Sequence, residues 1–408
     1  MTEQRNIVLV TVDSLRADHC GFMGDDRGLT PNLDHYAEEG LVFENAVTPG
    51  PSTLDALPAI FTGRDLPDGE GDTKERLQHH MQARETIPEK LSELGYETGA
   101  FTANPWTSRY FGFDEGFDHF EDFIDESETD DADDGDESDS TLGLGLRLLR
   151  GWSEETMLQD WGSFYEDALA WTEQASEPYF LWLFLVDVHM PYLPVEGYRS
   201  QSRPSTYAAN LWLYLTGHDP GMFEAPFKRR LLGAYEDTIR YTDDYFQRFV
   251  DDLTEDDPMV VFHADHGEAF GEHGIYGHGP DLSEEQIHVP LFVANGPTGE
   301  VEEPFSLRKL PDLLTTLATD GDPTKLTDPV VGSRNRDPKF GVRGRDWKYV
   351  DADGDATLYQ VDGGEAPISS NPELENLGQV LVDQWQSNVA ERDRVTAATK
   401  EIAATEQL

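Results

Sequence analysis

Three continuous apolar runs constrain this chain most: Asn6–Val12 (NIVLVTV), Tyr179–Val186 (YFLWLFLV) and Met259–His263 (MVVFH). A strand with one wet face alternates apolar and polar residues. These runs do not alternate, so they read as strands buried on both faces, the habit of a parallel sheet covered by helices. Each run leads into an acid, two of them with an imidazole beside it: Asp13, then Asp187-Val188-His189, then Asp265-His266. In open α/β sheets ligands bind at the carboxyl ends of strands, so these side chains stand where chemistry is done.

The segments between them carry helix signals. TPNLDHYAEEGLVFENAV predicts a helix from Pro31 to Gly40 and then a strand; TIPEKLSELGYETGAF repeats the pattern with Pro88, Gly95 and a strand into Phe101. Helical pattern runs over 153–173, and a long helix covers about 228–253. YAANLWLYL, 207–215, reads as a buried helix in preference to a pocket lining. Past residue 300 the elements shorten: 341–350 and 357–361 suggest a small antiparallel sheet, and a polar helix follows from Pro372. The fold class is α/β with a mostly parallel central sheet. The expected division is a catalytic core over 1–300, with an acidic low-complexity insertion at about 125–141, and a C-terminal subdomain over 301–408 packed on it.

Charge sets the surroundings. Asp and Glu number 81 against 30 Lys and Arg, a formal net charge of −51, spread along nearly the whole chain. That distribution reads as adaptation to high salt, where self-repulsion is screened within a few ångströms. It argues against nucleic acid as a partner, because such a surface repels phosphate backbones. The single cysteine, Cys20, permits no intrachain disulfide and reads as a small packed residue. MTEQRNIVLV reads as a lead into the first strand, not a signal peptide. No apolar segment approaches the roughly 20 residues of a membrane span. A cytoplasmic location is the expectation.

Taken singly, an aspartate after a strand is as readily a helix N-cap. At repeated strand ends of one sheet, Asp13, Asp187 with His189, and Asp265 with His266 can share a site, and carboxylates with imidazole suit Mn²⁺ or Zn²⁺. HADHGEAFGEHGIYGHG adds His266, His273 and His278 as metal or oxyanion ligands, while His263, inside its strand, reads as structural. GPSTLDALPAIFTGR reads as a turn that presents Ser52 and Thr53 and runs into a helix.

Five pieces occur in order: VTVDSLRADHCGFMG with TPNLDHYAEEGLVFENAV, the PSTLDALPAIFTGR loop, HMPY, ADHGEAFGEHGIYGHG with VPLFV, and the C-terminal GVRGRDWKYV with LYQVD. Together they resemble the sulfatase family of the alkaline phosphatase superfamily over nearly the whole chain. The resemblance implies an alkaline-phosphatase-like α/β/α sandwich with a small C-terminal antiparallel sheet, and a metal-dependent hydrolase of sulfate or phosphate esters. By the same resemblance, Asp13 matches the first metal ligand and Asp265 with His266 the later metal pair. His189 matches a histidine that contacts substrate or protonates the leaving group, and His278 falls where many members place a substrate-binding lysine. Asn104 falls beside the pocket, and Lys348 matches a structural position.

Sulfatases proper oxidise a Cys or Ser within Cys/Ser-x-Pro-x-Arg to formylglycine. Here the nucleophile position holds Thr53, followed by Leu54-Asp55-Ala56-Leu57, so the Pro and Arg are absent and no formylglycine is expected. Thr53 resembles the threonine nucleophile of the family's phosphodiesterases and phosphoglycerol transferases, and Ser52 is the runner-up. Ser14 replaces a second acid beside Asp13, which favours one Mn²⁺- or Zn²⁺-like centre, with Ca²⁺ as an alternative; a second metal on Asp187 and His278 is a further option. The resemblance thus implies that Asp13, Thr53, Asp265 and His266 surround the cation and that Thr53, His189 and His278 act on a small-molecule, glycan or lipid ester. Two other classes stand beside this reading: a phospho- or sulfo-group transferase with a glycan or lipid acceptor, and a non-catalytic glycan-binding relative. Oligomeric state stays open.

Overall fold

The computed structural model describes residues 4–68, 72–123, 160–216, 224–253, 256–336, 339–361 and 364–406. The acidic insertion at 125–141 and the first part of the helical pattern from 153 lie outside the described residues.

The three apolar runs are neighbouring strands, as their composition requires. The central sheet has eight strands: β1 (Ile7–Val12), β2 (Leu41–Phe43), β3 (Glu97–Thr102), β4 (His119–Glu121), β5 (Tyr179–Leu185), β6 (Met259–Ala264), β7 (Leu291–Ala294) and β8 (Gly299–Val301). Their order is β8-β2-β7-β6-β1-β5-β3-β4. All neighbours are parallel except β7, which runs antiparallel to both β6 and β2. Every residue of β1, β5 and β6 is buried.

Helices form two groups. Glu224–Asp252 packs with Pro31–Glu38, Trp161–Thr172 and Arg203–Leu215. The second group joins Thr53–Thr62 to Thr73–Gln82 and Leu310–Ala318, and Leu310–Ala318 also meets Ile87–Glu93. The segment containing YAANLWLYL is a half-buried helix: Ala209 and Leu213 face inward, while Leu211 and Leu215 are exposed. Helix Leu310–Ala318 buries Leu310, Leu313, Leu314 and Leu317 in the same core as the central sheet. A second, antiparallel sheet has five strands: Val331–Arg334, Lys339–Arg343, Trp347–Ala352, Asp355–Gln360 and Ala366–Pro367. The long C-terminal helix Pro372–Glu406 packs on it.

Two registers matter for function. Val12 pairs with Ala264 on one side and Leu185 on the other. Asp13 and Asp265 therefore leave adjacent parallel strands at the same level. Helix Thr53–Thr62 is pinned to the sheet by Phe61, whose ring centroid lies 4.4 Å from that of Trp182 on β5. Such an aromatic pair adds about 0.5–1.5 kcal/mol beyond area burial and ties the last turn of the helix to the sheet.

Candidate active site

The site begins where β1 and β6 stop. Ser14 turns the chain sharply, with φ 64°, a left-handed conformation that few non-glycine residues adopt. The turn lets Ser14 serve both carboxylates. Its backbone N–H donates to Asp265 Oδ1 at 3.3 Å and its hydroxyl donates to Asp13 Oδ1 at 3.0 Å. Asn104, just beyond β3, donates from Nδ2 to Asp13 Oδ2 at 2.6 Å. His266 donates its own backbone N–H to Asp265 Oδ1 at 2.8 Å.

The imidazole of His266 is oriented by a carbonyl. Nδ1 lies 2.8 Å from the Gly267 oxygen, which can only accept, so Nδ1 carries the proton and Nε2 offers a lone pair. Around Nε2 lie Thr53 Oγ1 at 3.3 Å, Asp13 Oδ1 at 3.4 Å and Asp265 Oδ2 at 3.6 Å. Gly267 is required here: any Cβ would collide with the Glu285 carbonyl.

Thr53 is the first residue of its helix, and Ser52 is the N-cap. Gly50 permits the tight turn before them, because a Cβ there would run into Asp55. The two hydroxyls are sorted by this geometry. Ser52 Oγ donates to Asp55 Oδ2 at 2.8 Å and accepts from the Asp55 backbone, so it is engaged in capping. Thr53 Oγ1 faces His266. It sits at the positive end of a ten-residue helix, where negative charge is favoured.

Electrostatics show what the cluster lacks. Burial alone would raise the carboxyl of Asp13, but the imidazoles of His189, His266 and His278 outweigh it and hold Asp13 below the usual range. Asp265 is pushed well up, by burial first and then by the charge of Asp13. Burial, and then His278, lower His266 to about 4, so it is neutral and able to ligate. Asp265 Oδ2 is buried without a hydrogen-bond partner among the described residues. Two wholly buried carboxylates, one with an orphan oxygen, cannot both be ionised without a compensating cation. The spacing fits one: donors at about 2.0–2.2 Å from a tetrahedral ion lie about 3.3–3.6 Å apart. Asp13, Asp265 and His266 are thus a donor set suited to a divalent cation, with Thr53 beside it.

Two more histidines flank the cluster. The ring centroid of His278 lies 4.5 Å from His266 and 5.0 Å from His189. His278 is anchored through Nδ1 to Glu268 Oε1 at 3.1 Å. Burial would lower its pKa, but Glu268 overcomes that and raises it. His189 donates from Nδ1 to the Met190 carbonyl, which leaves its Nε2 available.

The remaining sequence candidates fall elsewhere. Asp187 does not join His278: its Oδ1 accepts from the Trp161 backbone at 3.2 Å, beside Asp160. The strand turns after Leu185, so Asp187 and His189 part company. His273 is not in the cluster either and pairs with Glu285. His263 contacts Thr11 Oγ1 at 2.9 Å inside the sheet. Cys20 is buried, and burial pushes its thiol well up. Lys348 is buried against the Leu282 carbonyl and Glu365. Asn104, read in the sequence only as a neighbour of the pocket, touches Asp13 directly. Sequence reasoning missed Glu268 and the bridging role of Ser14.

The family model for Sulfatase matches residues 5–318. An arylsulfatase of Clostridium perfringens is 25% identical over 362 residues, covering 76% of this chain and 74% of that protein. Among solved structures, a phosphonate monoester hydrolase of Agrobacterium radiobacter superposes with TM-score 0.66 at 15% identity, covering 95% of this chain and 96% of its own. A 2-O GAG sulfatase superposes with TM-score 0.67 at 17% identity, covering 96% and 94%. Strand ends, a helix-borne hydroxyl and a buried carboxylate–imidazole set thus meet in a chain that this model matches over most of its length: the chain belongs to the sulfatase family of the alkaline phosphatase superfamily, a family of ester hydrolases.

Proposed function

We propose that this chain hydrolyses sulfate or phosphate esters of small molecules, glycans or lipids, with Thr53 as the nucleophile and a divalent cation, Mn²⁺ or Zn²⁺ in preference to Ca²⁺, held by Asp13, Asp265 and His266. One observation carries the reading: Thr53 Oγ1 lies 3.3 Å from His266 Nε2, inside a cluster with an orphan buried carboxylate oxygen. When bound, the cation lowers the pKa of the Thr53 hydroxyl and neutralises charge on the ester oxygens.

The protein's own residues supply the rest. Thr53 Oγ, its hydroxyl proton lost to solvent, attacks sulfur or phosphorus; the new O–S or O–P bond forms as the bond to the alcohol oxygen breaks. His189, held through Nδ1, gives the departing oxygen a proton from Nε2. His278, whose protonated form Glu268 favours, binds the non-bridging oxygens. Asn104 and Ser14 hold Asp13 in place. Water then cleaves the threonine ester and releases sulfate or phosphate. This chemistry does not use formylglycine.

The division into a core over 1–300 and a subdomain over 301–408 is part of the same proposal, as is a high-salt setting, supported by the net charge of −51. The test is a matched panel of aryl sulfate, aryl phosphate and aryl phosphodiester, assayed in molar KCl after chelation and again after Mn²⁺ or Zn²⁺ is restored. Turnover of one ester class, lost on chelation and regained with metal, supports the reading. Binding of metal without turnover of any ester would favour the transferase or glycan-binding alternatives.

A further inference from the structure

A second group of ligand-type side chains lies outside the catalytic cluster. His273, Glu285 and Glu365 each offer one donor atom, and these atoms all lie within 4.8 Å of one another. They come from three places: the loop between His266 and His278, the short helix Glu284–Ile287, and the segment before the last strand of the C-terminal sheet.

The plain reading is a surface imidazole–carboxylate pair, since His273 Nε2 and Glu285 Oε2 are 3.8 Å apart. Three observations go further. That separation is too long for a hydrogen bond, and Glu285 Oε2, on a side chain that is 18% exposed, is a buried atom with no hydrogen-bond partner among the described residues. An unpartnered buried oxygen costs about 1–3 kcal/mol, which a short rotation towards solvent would avoid. Glu365 is already oriented: Lys348 Nζ and the Glu284 backbone N–H both bind its Oε2, at 2.6 and 2.8 Å, so Oε1 is the oxygen left to donate. Outer hydrogen bonds that fix a carboxylate in this way typify metal ligands. Third, Gly267 brings the backbone after His266 against Glu285: Gly267 N donates to the Gln286 carbonyl at 2.9 Å. The group is thus built onto the segment that carries the catalytic ligands.

We propose that His273, Glu285 and Glu365 form a second divalent-cation site, of zinc or manganese type, that staples the loop carrying His278 to the C-terminal sheet. One imidazole and two carboxylates match the ligand types of such ions, and water completes the shell. The role is structural: it orders the loop, while chemistry stays at Thr53. The proposal does not depend on which ester is hydrolysed.

The experiment uses the full chain with Asp265→Asn, which disables the catalytic donor set and isolates the second site. Chelated protein in molar KCl is titrated with Zn²⁺, and bound metal is counted after dialysis. The intensity of visible Co²⁺ absorption reports the coordination number of the bound ion. The prediction is one tight equivalent for Asp265→Asn, and a rise in Tm of about 3 °C or more at saturating Zn²⁺. Adding either His273→Ala or Glu285→Gln should remove both the equivalent and the rise. The isosteric Glu285→Gln guards against misfolding, because it removes charge without volume. Equal Zn²⁺ stoichiometry and equal Tm shift in Asp265→Asn with and without these substitutions would overturn the proposal.

Discussion

Glu268 and His278 form a half-buried pair: the Glu268 side chain is wholly shielded from solvent, His278 is partly exposed, and Glu268 Oε1 lies 3.1 Å from Nδ1 of His278. The relationship is mutual. Burial would raise the Glu268 carboxyl, but His278 overcomes that and lowers it, while Glu268 raises His278 against the same burial. The pair favours the protonated imidazole of His278 next to His266 and His189, where the proposed mechanism puts the substrate anion.

Glu268→Gln keeps the shape and removes the charge. His278 then loses what holds its pKa up, so its charged form disappears at lower pH. The alkaline limb of kcat/KM against pH should move to lower pH, and at pH 8 kcat/KM should fall roughly 10- to 100-fold. A pH–rate profile of the two proteins checks this. An unchanged alkaline limb would remove Glu268 from the account.

Asp265 carries the second prediction. In metal-free protein its carboxyl is pushed up by burial and by Asp13. A raised folded-state value means that the native state holds a proton which the unfolded state releases. Stability from this group is therefore present below about pH 4 and lost as pH rises through the raised value. Asp265→Asn should make chelated protein more stable at pH 8. With Mn²⁺ or Zn²⁺ the order should reverse, because only the wild type keeps all the donors. Melting temperatures with and without metal decide it; the same order in both conditions would contradict a cation between these carboxylates.

Asp187, unused by the site, gives a third. Burial, outweighing the Trp161 N–H bond, pushes its carboxyl up to about 7 from 3.8. Its contribution to stability should be present near pH 4 and lost as pH rises through about 7. Asp187→Asn should flatten the stability profile over that window. At pH 8 it should be the more stable protein by on the order of 1–2 kcal/mol. Denaturant melts at pH 5 and pH 8 are the check, and equal slopes with pH for the two proteins would refute the assignment.

The chain announced its strand ends because each is a sharp change from unbroken apolar residues to charge, as at Val12–Asp13 and Ala264–Asp265–His266. Parallel pairing then puts those ends side by side, so much of the candidate metal cluster followed from local pattern. The partners of that cluster are spatial. Asn104 lies 91 residues from Asp13, and locally it is a helix cap that accepts the Trp106 N–H, which is how such a residue reads in sequence. Glu268 is one acid among 81 Asp and Glu, so nothing in composition marks it. Ser14 looked like the loss of a ligand, and its positive φ and two donated bonds become visible only in three dimensions. The family resemblance ranks Thr53 above Ser52, and geometry adds the physical reason: Ser52 Oγ is engaged with Asp55, whereas Thr53 Oγ1 faces His266.

That last distinction is the central claim. The most direct measurement is steady-state turnover of the best ester substrate, with metal restored in molar KCl, by wild type, Ser52→Ala and Thr53→Ala. The account predicts that Thr53→Ala loses at least about three orders of magnitude in kcat while still binding metal. Ser52→Ala should lose a helix cap, about 0.5–2 kcal/mol of stability, and keep kcat within about tenfold. Full activity in Thr53→Ala, or loss confined to Ser52→Ala, would contradict it.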